Sequence, residues 1–174
     1  MAKPTRIAVD LTLLLDLAAN DAAAWRGLEA TRKAFAPTEF IVSPATQEAL
    51  MHALVSTSYD VETRNLAGAA LSRLSPQWKF SVPDVDASDL AVCVENARQL
   101  IAAGLLGGHA WNSAHTVAEA ACLECSLLLC HDSELLDVSY PGLKKVLEKF
   151  DRESLWITTP GEILRQTNPA APSA

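Results

Sequence analysis

With 174 residues, 49% of them hydrophobic and 20% charged, the chain can bury one substantial core and falls within the usual size of a single domain. Its net charge of -7 excludes nucleic-acid binding through a broad basic face, so any contact with phosphate has to be local; a cluster of acids holding Mg²⁺ or Mn²⁺ would add to the same negative count. No apolar run approaches the ~18 to 20 residues of a membrane span, and the start MAKPTRIAVD enters a strand pattern instead of a signal peptide's apolar region. The expectation is a soluble, cytoplasmic protein without membrane contact.

Arg6 to Asp10 (RIAVD) is a short β-rich run ending in a carboxylate, and LTLLLDLAAND after it is apolar enough for a buried helical turn. A helix is expected over 22–35, capped by Asn20 or Asp21 and closed by Pro37. EFIV (39–42) reads as a second strand, and Ser43-Pro44 as a cap with proline in the first turn of the helix that carries Glu48. Asp60 opens another helix, ended by Ser75 and Pro76, after which KFSVP (79–83) reads as a third strand.

A long helix follows from Ala87 to Leu105, capped by Ala87, Ser88 and Asp89 and running out at Gly107 and Gly108. Asn112 or Ser113 is expected to cap AHTVAEAACLE. SLLLC (126–130) is a continuous apolar run, suited to a strand covered on both faces, and His131-Asp132 follows at once. Pro141 and Gly142 precede a basic helix (LKKVLEKF), LWITT is the last strand, and PGEILRQ is a helix begun by proline. Alternating strands and helices imply a parallel sheet flanked by helices, whose ligands gather outside the carboxyl ends of the strands, where Asp10 and Asp132 fall. GLLGG (104–108) lacks the spacing and following lysine of a phosphate loop.

Four segments in order, RIAVDLT, SPATQEAL, WNSAHTVAEAACLECSLLLCHDSEL and LWITTPGEIL, resemble the PIN-domain family over most of the chain. The resemblance implies a three-layer α/β sandwich with a mostly parallel sheet over residues 1–166, followed by a disordered tail at 167–174. It also implies a divalent-metal-dependent endoribonuclease, including the toxin half of a toxin and antitoxin pair, with structured or single-stranded RNA as substrate, an antitoxin protein as partner and a homodimer as assembly. On matching positions the ligands of Mg²⁺ or Mn²⁺ are Asp10, Glu48 and Asp132, the three catalytic acids. The family's further aspartate falls on Ser113, a neutral and weaker ligand. That departure motivates an alternative: a PIN-like module that has lost turnover and binds RNA or a protein partner.

Thr12, Asn112 and Glu134 are accessory candidates, with Glu134, two residues beyond Asp132, able to replace the missing acid. Glu119 lies about 240° round an ideal helix from Ser113, so it belongs behind the site or at the surface. Asp10 and Asp132 also have a plainer reading as helix caps. His115 reads as a packing or capping residue, and Lys144, Lys145 and Lys149 as a solvated helix face. Cys93, Cys122, Cys125 and Cys130 are expected as thiols, and a zinc site from Cys122, Cys125, Cys130 and His131 is disfavoured because a switch from helix to strand separates the side chains.

Overall fold

In the computed structural model, residues 3–167 are described. The expected tail lies outside them except for Thr167, which ends the last helix. Four strands, β1 (Thr5–Val9), β2 (Thr38–Ile41), β3 (Leu127–Leu129) and β4 (Trp156–Thr158), form one parallel sheet in the order β2-β1-β3-β4. Nine helices are present among the described residues: α1 (Leu11–Ala18), α2 (Ala22–Ala34), α3 (Pro44–Val55), α4 (Val61–Arg73), α5 (Ala87–Ala102), α6 (Trp111–Cys122), α7 (Ser133–Leu136), α8 (Tyr140–Glu148) and α9 (Pro160–Thr167).

The alternation of strand side chains divides the core in two. Ile7 and Val9 of β1, Phe40 beside Val42, and Leu127 and Leu129 of β3 pack with Leu13, Leu14 and Leu17 of α1, Leu28 of α2, Leu50 of α3 and Ile163 of α9. Ala8, Ile41 and Leu128 point the other way, onto Cys93, Ala97 and Leu100 of α5, the alanines of α6, and Leu143 and Leu147 of α8. Helices therefore cover both faces, and the fold is the three-layer α/β sandwich with a parallel sheet. Gly27 lets α9 approach α2 closely, since a β-carbon there would lie 2.5 Å from Cβ of Pro160. No helix among the described residues is long and apolar enough to cross a membrane.

Several local expectations change. KFSVP is not a strand: only Ser81 bridges Ile41, flanked by the left-handed Lys79 (φ 59°) and by Pro83, which has no N–H for a ladder. Asp86, not the Ala87 to Asp89 run, caps α5, accepting from the N–H groups of Ser88 and Asp89, and α5 stops at Ala102. Asn112 and Ser113 do not cap α6. The helix starts at Trp111 with Ala110 before it and no side-chain cap, so both residues sit inside the first turn. Pro141 and Gly142 likewise belong to α8, which Ser139 caps and in which proline occupies a first-turn position that requires no N–H partner.

Candidate functional site

β1 runs to β2 on one side, and the chain later returns to place β3 on the other, so the strand order reverses between β1 and β3. In open parallel sheets this switch leaves a crevice at the carboxyl ends of the two strands. Val9 pairs in register with Leu129, and the Asp10 N–H continues the ladder by donating to the Leu129 carbonyl at 3.1 Å. Asp10 therefore leaves β1 level with the end of β3, with Asp132 three residues beyond Leu129.

Asp10, Thr12, Glu48, Asn112, Ser113 and Asp132 all line one cavity of about 460 Å³ at this edge. Asp10 is only 5% exposed. One carboxylate oxygen accepts the Leu13 N–H at 3.0 Å and so caps α1, while the Thr12 hydroxyl donates to the carboxylate at 2.7 to 2.8 Å. The same hydroxyl accepts the His131 N–H at 2.9 Å, pinning the end of β1 to the chain leaving β3. Burial pushes the Asp10 carboxyl up to about 6; the bonds from Leu13 and Thr12 oppose the rise, and the charge of Asp132 adds to it.

Asp132 caps α7 by accepting the Glu134 N–H at 2.9 Å, and the Ser113 hydroxyl lies 3.5 Å from its other oxygen. Glu48 is exposed on α3. Both acids at the strand ends are thus caps, and both face the cavity. Glu134 is not among the lining residues: its carboxylate accepts the Gly107 N–H at 3.1 Å and faces His109 at 3.8 Å.

Glu119 is not at the surface. It is 1% exposed, and its carboxylate accepts the Ala45 N–H at 2.7 Å, where the N-terminus of α3 meets α6. An acid at that end also suits the helix dipole, so α6 holds the helix that carries Glu48. Among the described residues no three His, Cys, Asp or Glu side chains gather as a group able to hold a metal ion. Cys125 and Cys130 are buried, and burial pushes the Cys125 thiol up to about 12 and the Cys130 thiol in the same direction. Lys144 and Lys145 lie exposed on α8 and Lys149 just past its C-terminal end, with Lys144 facing Glu148 at 3.8 Å.

For Mg²⁺ or Mn²⁺ the donor chemistry fits, because the acids and hydroxyls of the cavity offer hard oxygen ligands. Geometrically, the fit is partial. Asp132 is near enough to raise the Asp10 pKa, while the acids with Glu48 do not close into a three-membered group. A second cavity component, of which sequence offered only His115, is aromatic: Trp111, Tyr59, His52 and His115 also line it. Trp111 and His115 stack with ring centroids 5.8 Å apart at 23°, and His52 meets Tyr59 edge-on at 6.1 Å. The i, i+4 spacing of Trp111 and His115 was a readable signal, whereas the pairing across the end of α3 had none.

No protein-family model matches the sequence, and no curated protein matches it. The fold is similar to a solved structure described as VapBC2 from Rickettsia felis bound to a DNA fragment from their promoter, with a TM-score of 0.58. Sequence identity is 12%, over 88% of this chain and 98% of the other. At that identity the likeness is one of fold.

Proposed function

We propose that this chain is a divalent-metal-dependent endoribonuclease that hydrolyses RNA phosphodiesters, using Mg²⁺ or Mn²⁺. The observation that carries the reading is the meeting in one cavity of three acids from separate segments: Asp10 after β1, Glu48 on α3 and Asp132 after β3. Asp10 and Asp132 would hold the ion, with Glu48 and the Ser113 hydroxyl completing its surroundings directly or through water. Such an ion, when bound, neutralises charge developing on the phosphate and acidifies the attacking water. Thr12 and the Leu13 N–H hold the Asp10 carboxylate in place, and the Glu134 N–H does the same for Asp132. Burial of Asp10 keeps bulk water from screening its charge.

A toxin role with an antitoxin partner, a homodimer and a cytoplasmic setting follow from the PIN resemblance, and the fold likeness is compatible with them. The test is RNA cleavage with Mn²⁺ by the wild type and by an Asp10→Asn, Asp132→Asn double variant. We expect cleavage to fall by about 10³-fold or more; cleavage unchanged in the double variant would exclude the reading.

One observation favours a second reading. With Ser113 where the family has an acid, the chain is instead a PIN-like module that binds RNA or a protein partner without turnover. It predicts no cleavage by the wild type with any divalent ion. Gain of cleavage on Ser113→Asp would then locate the lost function at that position.

A further inference from the structure

The cavity presents a difficulty for any negatively charged ligand. Its lining includes Asp10, Glu48 and Asp132 but no lysine or arginine, and the chain as a whole carries a net charge of -7. Phosphate attraction, the usual source of nucleic-acid affinity, is therefore weak here. What the lining does offer is aromatic. Trp111 opens α6 and remains 39% exposed although it lies in a concave site. One face of its indole is braced by the His115 ring one helical turn on. His115 Nε2 is buried without a hydrogen-bond partner, an unsatisfied polar atom in a residue of the cavity wall.

We propose that Trp111, braced by His115, is the stacking platform for an unpaired base of a single-stranded RNA, with the adjoining phosphodiester lying toward Asp10 and Asp132. This rests on the ribonuclease reading for its choice of ligand, and names the residue on which a base of that RNA is held. Stacking is indifferent to the sign of the surrounding charge, and it contributes roughly 1–3 kcal/mol per base. It therefore supplies affinity that the electrostatics of this protein do not. A cavity of about 460 Å³ suits one nucleotide unit. A base held in a duplex is stacked on its neighbours and cannot lie on an indole without leaving the helix, so the platform selects single strands, loops and ends.

The experiment measures binding of a short mixed-sequence RNA, single-stranded or annealed to its complement, in EDTA, where cleavage does not interfere. The single strand is expected to bind, with shallow salt dependence, and to quench tryptophan emission in the wild type more than in Trp111→Phe. Trp111→Ala is expected to weaken binding about tenfold, whereas Trp111→Phe recovers most of it. Trp156→Ala, which removes a tryptophan of similar exposure on β4, leaves binding unchanged. The inference is overturned if no single strand binds in EDTA, if the duplex binds as tightly, or if Trp111→Ala binds like the wild type. Loss of binding in Trp111→Ala, together with a wild type that never cleaves, supports the platform and removes the ribonuclease reading. Cleavage that Trp111→Ala leaves at the wild-type KM does the reverse.

Discussion

Asp60 and Asp86 cap α4 and α5 on the surface, and Asp10 and Asp132 cap α1 and α7 at the carboxyl edge of the sheet. All four make the same local bond, a carboxylate oxygen accepting an N–H of the following helix. Their chemistry diverges. The Thr63 N–H holds the Asp60 carboxyl below the ordinary range, as the Asp89 N–H does for Asp86, because both remain in water and gain only a donor. Asp10 gains comparable donors, yet its carboxyl rises to about 6, since burial outweighs them and Asp132 lies close by. Capping and participation in a site are not competing roles for an aspartate. Burial decides whether a capping carboxyl falls below its ordinary range or rises above it.

The largest effect expected from this contrast is on stability. In the metal-free protein the folded Asp10 keeps its proton up to about pH 6, while the unfolded chain releases it near its ordinary 3.8. The contribution of Asp10 is therefore full below 3.8 and is lost as pH rises through about 6, a swing of about 3 kcal/mol. Asp10→Asn should keep the capping oxygen and raise Tm at pH 7.5 in EDTA by roughly 5 to 10 °C. Asp60→Asn should lower it slightly, in the opposite direction, because Asp60 contributes above its unfolded pKa and loses that contribution as pH falls through its folded one. A melting series from pH 4 to 8 in which the Asp10 and Asp60 variants move together would break the comparison.

A smaller effect is expected at Glu119, an acid that serves a helix N-terminus from another element. Glu119→Ala leaves the half-buried Ala45 N–H without its acceptor and should destabilise the fold by about 2 kcal/mol, with Glu119→Gln recovering part of it in denaturant unfolding. The smallest expected effect is Thr12→Val, at about 1 kcal/mol. It removes both the donor to Asp10 and the acceptor for His131, so an NMR titration should find the Asp10 carboxyl pushed above its wild-type value. An unchanged Asp10 titration would show that the hydroxyl is not what orients the acid.

The alternation of apolar runs with amphipathic stretches was enough to read four parallel strands and their flanking helices, because both periodicities are local properties of the chain. The strand-end positions of Asp10 and Asp132 were legible for the same reason. KFSVP failed because a β-rich run becomes a strand only beside a partner, and the chain around Ser81 offers a single bridge. Asn112 and Ser113 have the side chains of caps, but Trp111 begins the helix before them and stacks on His115. The reach of Glu119 to Ala45, the aromatic wall of the cavity and the raised pKa of Asp10 required the assembled molecule. Each depends on which distant segment excludes water from a group or donates to it, and no pattern within a single segment encodes that.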